Sequence, residues 1–490
     1  MGEFQAGPVL ANELFLGYIQ QSIINKAGTI RMSLMVSISG IRGVIGESLT
    51  PEVAVRYAAA FGEYCRRRNP SRPLVVLGRD GRVTGAPLTD IVRSTLLSTG
   101  VDVQTIGICP TPTVQLAVEK GGATGGISIT ASHNPIQWNG LKFIASTGMF
   151  LDADENRELW DIAGGRASYV PWGNMGKETD APEWLQKHID DVLRLPYLDP
   201  RIVQRRRLRV VLDCVNAAGG VIVPTLLRTL GCDVIEMNCD VDGVFAHMPE
   251  PLPENLVELA AQVKANRADL GIAVDPDVDR LVLITELGTP YSEEYTVASA
   301  VKFVLEKHPR GVKPSVVINL STTRAVDDIA LFYGAEVQRT PVGEINVAKR
   351  MKQIGALVGG EGSGGVILPA VHLGRDAIVG IGLLLQMLAE FGGTLSQLKA
   401  SMPQYSIVKG KIPVGKHSPD DVLKQMSEIH SRNGRINTDD GLKIDFPESW
   451  VHLRKSNTEP IIRIIAEAKS AAEARTLVDA FTRDITARAG

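Results

Sequence analysis

The sequence predicts an α/β chain: three topologically similar α/β domains with mixed, largely parallel sheets, and a smaller α+β C-terminal domain, set around a central cleft. Three observations predict it. The chain has 490 residues, too many for one core at about 100–200 residues per domain. One order of elements recurs three times. After about residue 405 that order gives way to a different one.

Residues 1–32 lack a basic start, and Glu13 and Gln20–Gln21 interrupt their apolar portion, so they make a poor signal peptide. They are expected to be an upstream extension outside the fold, with the chain proper beginning near Met32 or Met35. A short docking helix is the other reading. The first repeat (domain 1, 33–190) runs PLVVLGRD (73–80), GVDVQTIGI (100–108) and GGISITASHNP (125–135). The second (domain 2, 205–308) runs LRVVLDCVN (208–216), GCDVIEMNC (231–239) and LGIAVDPDVDR (270–280). The third (domain 3, 309–403) runs PSVVINLSTT (314–323), GAEVQRTPV (334–342) and GALVGGEGSGG (355–365).

Each unit opens on a Val/Ile-rich run that reads as a buried strand, followed by a helical segment such as 87–98 or 222–230. Gly, a variable residue, Asp or Glu, and Val then mark a helix stop leading into a second strand. A further helix leads to a third strand ending in an unusual polar loop. This alternation implies parallel strands with helices on both faces. Ligands of such sheets bind beyond the carboxyl ends of the strands, so three equivalent loops can converge on one cleft. In domain 4 (405–490), KGKIPV, a helical stretch near 419–432, GLKIDFPESWVHLRKS, PIIRIIAEA and a helix over 471–485 give the α+β pattern.

Composition narrows the function. Lys and Arg number 52 against 55 Asp and Glu, a net charge of −3, which removes the electrostatic case for nucleic acid or an acidic membrane as partner. No run of 18 apolar residues exists to span a bilayer. Cys65, Cys109, Cys214, Cys232 and Cys239 are scattered and odd in number, which fits reduced thiols in a cytoplasmic protein and not a disulfide frame or zinc site.

Four loops carry the chemistry. Thr130-Ala131-Ser132-His133-Asn134-Pro135 presents a Ser at the end of a buried strand, with Lys142 ten residues on. Asp275-Pro276-Asp277-Val278-Asp279-Arg280 places three carboxylates on one side of an extended segment, a set that a hard cation such as Mg²⁺ or Ca²⁺ would gather. It is not an EF-hand: Arg280 stands where that loop needs Gly, and residues 281–285 read as a strand. In Gly359-Gly360-Glu361-Gly362-Ser363-Gly364-Gly365 the glycines allow close backbone approach, while Glu361 and Ser363 can bond sugar hydroxyls. Arg454-Lys455-Ser456-Asn457-Thr458-Glu459-Pro460, with Arg463 beyond, offers a phosphate cradle. Arg42, in Ser39-Gly40-Ile41-Arg42-Gly43, could reach the same cleft.

Taken together, the four loops resemble the α-D-phosphohexomutase family over roughly residues 36–490. The resemblance implies four domains around a central cleft, with Ser132 as the phosphorylated serine. It implies one Mg²⁺ held by Ser132, Asp275, Asp277 and Asp279, and Arg280 steadying the phosphoserine and metal loops. Glu361 and Ser363 would contact the sugar, and Gly343 and Arg463 count with the substrate-binding set. Arg454, Ser456, Asn457 and Thr458 would grip the phosphate that is not transferred. Arg42, Lys142 and His133 are candidates for proton transfer. The implied reaction interconverts hexose 6-phosphate and 1-phosphate through a 1,6-bisphosphate, with glucose or glucosamine 1,6-bisphosphate as activator and a monomer or homodimer as the assembly. SGIRG, SNTEP, GEGSGG and HLGRDA (372–377) look most like phosphoglucosamine mutases, with phosphomannomutases and phosphoglucomutases the alternative. Gly365, and Glu344 in Thr340-Pro341-Val342-Gly343-Glu344, stand where relatives often carry His. A metal-dependent sugar phosphatase and a non-catalytic sugar-phosphate sensor are the competing readings from other classes.

Overall fold

The third strand of each repeat does not lead directly into the next helix but turns back antiparallel. The computed structural model, which describes residues 34–309, 311, 313–414, 417–431, 434–455 and 461–489, shows this three times. Gly125–Ile129 returns as Trp138–Ala145, Leu270–Val274 as Leu281–Thr285, and Val358–Glu361 as Gly365–Leu368. Each third strand lies parallel to the first strand of its repeat, which in turn lies parallel to the second. The sheets are therefore mixed, and three of the chemical loops are hairpin turns at the carboxyl ends of parallel strands. The expectations for residues 1–32 and for Ser456, Asn457 and Thr458 lie outside the described residues.

Among the described residues, seven strands make the first sheet, four the second and five the third. Alternation inside Leu74–Arg79 shows why these runs are uniformly apolar: Val75 and Leu77 enter one core while Val76 enters another on the opposite face. Helix Pro51–Arg68 begins with Pro after Thr50 and ends on Arg66, Arg67 and Arg68, matching first-turn proline and the negative end of the helix dipole. Domains 2 and 3 share one apolar cluster, which contains Leu212, Ile272, Val316, Ile318 and Ile378 and takes in Val192 of helix Trp184–Leu193. Ile345 and Ala348 of domain 3 pack into a first-domain cluster.

The fourth sheet is wholly antiparallel, in the order Ser406–Pro413, Ile461–Ala468, Trp450–Lys455, Leu442–Asp445, Arg435–Asn437. Helices Pro419–His430 and Ala471–Ala489 contribute to its separate core. Its other face meets domain 3 through polar contacts: Ser321 Oγ with His452 Nδ1 at 2.8 Å, Arg324 N–H on Glu467 Oε1 at 3.0 Å, and Val342 N–H on Asp440 Oδ2 at 2.9 Å.

His452 makes this seam sensitive to pH. Its Nε2 lies 2.6 Å from the Asp440 carbonyl, which can only accept, so Nε2 carries the proton and Nδ1 accepts from Ser321. Burial pulls the imidazole down from 6.5 to about 4. A depressed value means the seam is fully supported above the exposed-histidine pKa and weakens as pH falls from about 6.5 toward 4. Hydrogen-exchange protection factors at 321–324 and 440–452, corrected for the intrinsic pH dependence of exchange, should therefore fall across that window, and His452→Gln should flatten the profile. An unchanged profile in the variant would refute the assignment.

Candidate active site

Ser132 sits three residues beyond strand Gly125–Ile129 with φ +49, a left-handed conformation that costs about 1–2 kcal/mol for a residue with a Cβ. Its surroundings hold it there. Thr130 Oγ1 accepts the Ser132 N–H at 2.8 Å and donates to Asp80 Oδ2 at 2.6 Å. The fully buried Arg82 pairs with Asp80 at 3.0 Å and donates to the carbonyls of Ser132, Asn134, Pro135 and Trp138 at 2.6–2.9 Å. Ser132 Oγ lies 3.0 Å from Asp275 Oδ2 and 3.3 Å from His133 Nδ1. A hydroxyl of the first domain thus rests on a carboxylate of the second.

Asp275, Asp277 and Asp279 are buried and offer one oxygen each within 4.8 Å of one another. Asp275 Oδ1 accepts the backbone N–H groups of Asp279 and Arg280, each at 3.1 Å. Asp277 Oδ2 is 2.6 Å from Lys142 Nζ and accepts from Thr111 Oγ1 at 2.9 Å. Asp279 Oδ2 is 2.6 Å from Arg375 Nη2 and 3.3 Å from Lys142. The other oxygens, Asp277 Oδ1 and Asp279 Oδ1, are buried without a hydrogen-bond partner among the described residues. Burial, with the charges of Asp279 and Asp277, drives the Asp275 carboxyl well above its usual range. Two orphaned carboxylate oxygens beside a strained third carboxyl fit a hard divalent cation.

The proton-transfer candidates differ in state. Burial favours the neutral form of Lys142, but Asp277 and Asp279 outweigh it and hold the ammonium charged. Burial, then Arg280 and Arg42, pushes His133 down to about 2 and keeps its ring neutral. Arg42 donates to Asn134 Oδ1 at 3.2 Å. The Arg280 guanidinium lies 3.8 Å from Asp279 and 3.6 Å from Glu250, whereas the guanidinium bonded to the main-chain carbonyls of the serine loop is that of Arg82.

Glu361 is buried, with Oε1 accepting from Asn319 Nδ2 and Gly343 N–H at 2.8 Å each and Oε2 on Arg375 Nη1 at 2.9 Å. Gly343 has φ +125, glycine territory. Ser363 Oγ is 3.5 Å from Arg375 Nη1. Arg454 Nε lies 2.9 Å from Asp440 Oδ2 without hydrogen-bond geometry. Arg454 pairs across the sheet with Arg463, and Arg463 with Lys411, forming a row of three cations on one face. Contacts therefore run unbroken from Ser132 through Asp275, Asp279, Arg375, Glu361, Gly343 and Val342 to Asp440 beside Arg454. Sequence reasoning missed Arg82, Asp80, Thr111, Asn319 and Asp440, and gave Arg375 no role. The Asp-x-Arg spacing at the end of a strand was the signal for the first pair.

Four successive family profiles match this chain: phosphoglucomutase/phosphomannomutase alpha/beta/alpha domain I over 35–169, domain II over 186–288, domain III over 292–405, and the C-terminal domain over 411–483. The chain belongs to the phosphoglucomutase/phosphomannomutase family. A family member of Thermococcus kodakarensis named phosphoglucomutase/phosphomannomutase is 38% identical over 91% of this chain and 97% of its own length. The phosphoglucosamine/phosphogalactosamine mutase of Sulfurisphaera tokodaii is 31% identical over 91% of this chain and 98% of its own. Among solved structures, a phosphoglucomutase/phosphomannomutase family protein of Burkholderia thailandensis superposes with TM-score 0.78 and 28% identity, covering 93% of this chain and 97% of that one. Among the described residues, no helix is long and apolar enough to cross a membrane.

Proposed function

We propose that this family member interconverts hexose 6-phosphate and hexose 1-phosphate, with glucosamine phosphate as the preferred substrate and Mg²⁺ as its metal. The observation that carries the reading is the 3.0 Å contact between Ser132 Oγ and the acidic trio. Phosphorylated on Oγ, Ser132 would pass its phosphoryl group to the free hydroxyl of a hexose monophosphate. The Oγ–P bond breaks, a sugar O–P bond forms, and the hydroxyl proton leaves to a base. Lys142 and Arg42 supply positive charge near the transferring group, and of the three candidates His133, 3.3 Å from Oγ, is the one with an unprotonated ring nitrogen, although burial makes it a weak base. The bisphosphate then turns over and returns its other phosphate to Ser132. Arg454, Arg463 and Lys411 form the cationic row suited to the phosphate not in transfer. When bound by Asp275, Asp277, Asp279 and the phosphoserine, Mg²⁺ would supply charge neutralisation for phosphoryl transfer.

The amino-sugar preference rests on the Sulfurisphaera relative's name and on the loop signatures. Glu344 and Glu361 add little to it, since both are engaged by Arg375. Mannose and glucose phosphates are the alternative, supported by the Thermococcus name. The domain limits proposed are 33–190, 205–308, 309–403 and 405–490. The free cysteines support a cytoplasmic setting, and the assembly proposed is a monomer or homodimer. The test compares kcat/KM for glucosamine, N-acetylglucosamine, glucose and mannose phosphates, primed with glucose 1,6-bisphosphate. Isomer formation, lost on chelation and highest with glucosamine phosphate, is expected. Phosphate release without isomer would favour a phosphatase.

A further inference from the structure

Arg375 is the one side chain described that touches both the acidic trio and the sugar loop. It ends strand His372–Arg375 and is nearly buried, at 12% side-chain exposure. Its Nη2 donates to Asp279 Oδ2 at 2.6 Å, its Nε to Glu344 Oε2 at 3.1 Å, and its Nη1 to Glu361 Oε2 at 2.9 Å. A guanidinium fans its donors in a rigid plane, so three carboxylates from three separate segments are fixed relative to one another. An ammonium is a point donor without that geometry.

Two features of the chain hold the fork in place. A Cβ at Gly365 would lie 2.2 Å from Arg375 Cδ and 2.8 Å from Cγ, so the absent side chain is the volume the arginine stem uses. The next residue, Asp376, caps helix Ala377–Phe391 by accepting from the N–H groups of Ile378 and Val379. It is gripped by His188 Nε2 at 2.8 Å and His372 Nε2 at 3.0 Å. Arg375 therefore leaves a backbone pinned immediately after it.

The consequence lies in the oxygens. With Asp279 Oδ2 held by Arg375, Oδ1 is the buried oxygen left without a hydrogen-bond partner among the described residues, Arg280 Nε lying 3.8 Å away, and with Glu361 Oε2 held, Oε1 accepts from Asn319 and Gly343. We propose that Arg375 is a positioning residue that aims Asp279 at the cation and, through Glu361, fixes the sugar loop against Asn319 and Gly343, coupling metal affinity to phosphosugar affinity. The inference rests on the mutase reading above.

The test titrates Mg²⁺ calorimetrically into wild type, Arg375→Gln, Arg375→Lys, Arg375→Ala, Gly365→Ala and Glu361→Gln, and measures kcat and KM with glucosamine 6-phosphate. Loss of a group that orients a metal ligand typically weakens metal binding by about 10–100-fold. That loss is expected in Arg375→Gln and Arg375→Lys, together with a KM raised about tenfold, the scale of one charge-assisted hydrogen bond. Gly365→Ala should reproduce both effects with the arginine still present. Added guanidinium ion should restore both in Arg375→Ala. Glu361→Gln should raise KM while leaving Mg²⁺ affinity within about twofold of wild type. An Arg375→Gln protein that folds by near-UV circular dichroism and keeps wild-type Mg²⁺ affinity overturns the coupling alone. Wild type that neither binds Mg²⁺ nor forms isomer overturns the mutase reading itself.

Discussion

Ser132→Ala is expected to lower mutase turnover by about 10⁴–10⁶-fold, the range seen when a covalent nucleophile is removed, while phosphosugar binding stays measurable. The substitution deletes one oxygen and leaves the loop anchored, because the bonds from Arg82 and Thr130 reach the backbone of this loop and not the Ser132 hydroxyl. Alanine meets the same φ of +49 that serine tolerates, so no large new strain arises. Asp275 loses its hydroxyl donor and keeps two backbone N–H donors. The check is isomer formation with bisphosphate priming, alongside mass spectrometry of the intact chain for a phosphoryl adduct. Turnover near the wild-type rate, or an adduct retained in the variant, would end the assignment of Ser132 as the group carrier.

Arg82→Leu should produce the largest loss of stability, about 3–5 kcal/mol, the usual cost of removing one partner of a buried ion pair. Both Arg82 and Asp80 have no exposed side-chain surface. Removing the guanidinium takes the counter-charge from the Asp80 carboxylate and one donor each from the carbonyls of Ser132, Asn134, Pro135 and Trp138. Arg82→Lys should recover only part of the loss, since one ammonium cannot span four carbonyls and a carboxylate. By contrast Arg201, at 81% side-chain exposure beside Asp199, should cost little when replaced, since water screens an exposed ion pair. Urea unfolding of the three variants gives the comparison. A midpoint for Arg82→Leu no lower than for Arg201→Ala would contradict the account. Activity should fall with stability in Arg82→Leu, because displacement of a reacting atom by about 1 Å can cost about 10²-fold.

Much of this architecture was legible in the residues. Val/Ile runs bounded by Gly-x-Asp/Glu-Val gave the repeated strands, and the spacing of Asp275, Asp277 and Asp279 gave the acidic trio, because both signals are local. The antiparallel return strands were harder to place, since which strand a segment pairs with is decided by partners far along the chain. Arg82 escaped notice for a different reason: it acts on main-chain carbonyls, which every sequence possesses and none advertises. Lys142 was noted ten residues beyond Ser132 and given its role through family likeness, yet its contact with Asp277 spans 135 positions, and no spacing rule reaches that far. Arg375 stood in the quoted HLGRDA stretch and drew no role, for its three carboxylate partners come from three distant segments.

The fourth domain keeps its own apolar interior and meets domain 3 through polar links. Under the mutase reading, that arrangement sets a leak. While the doubly phosphorylated sugar tumbles, the fourth domain would serve as its lid, and one loosened too far would release it and leave the enzyme with a bare, unphosphorylated serine. Each escape must be reversed by recapturing a bisphosphate from solution, so sustained flux would depend on how often that lid lets its cargo go.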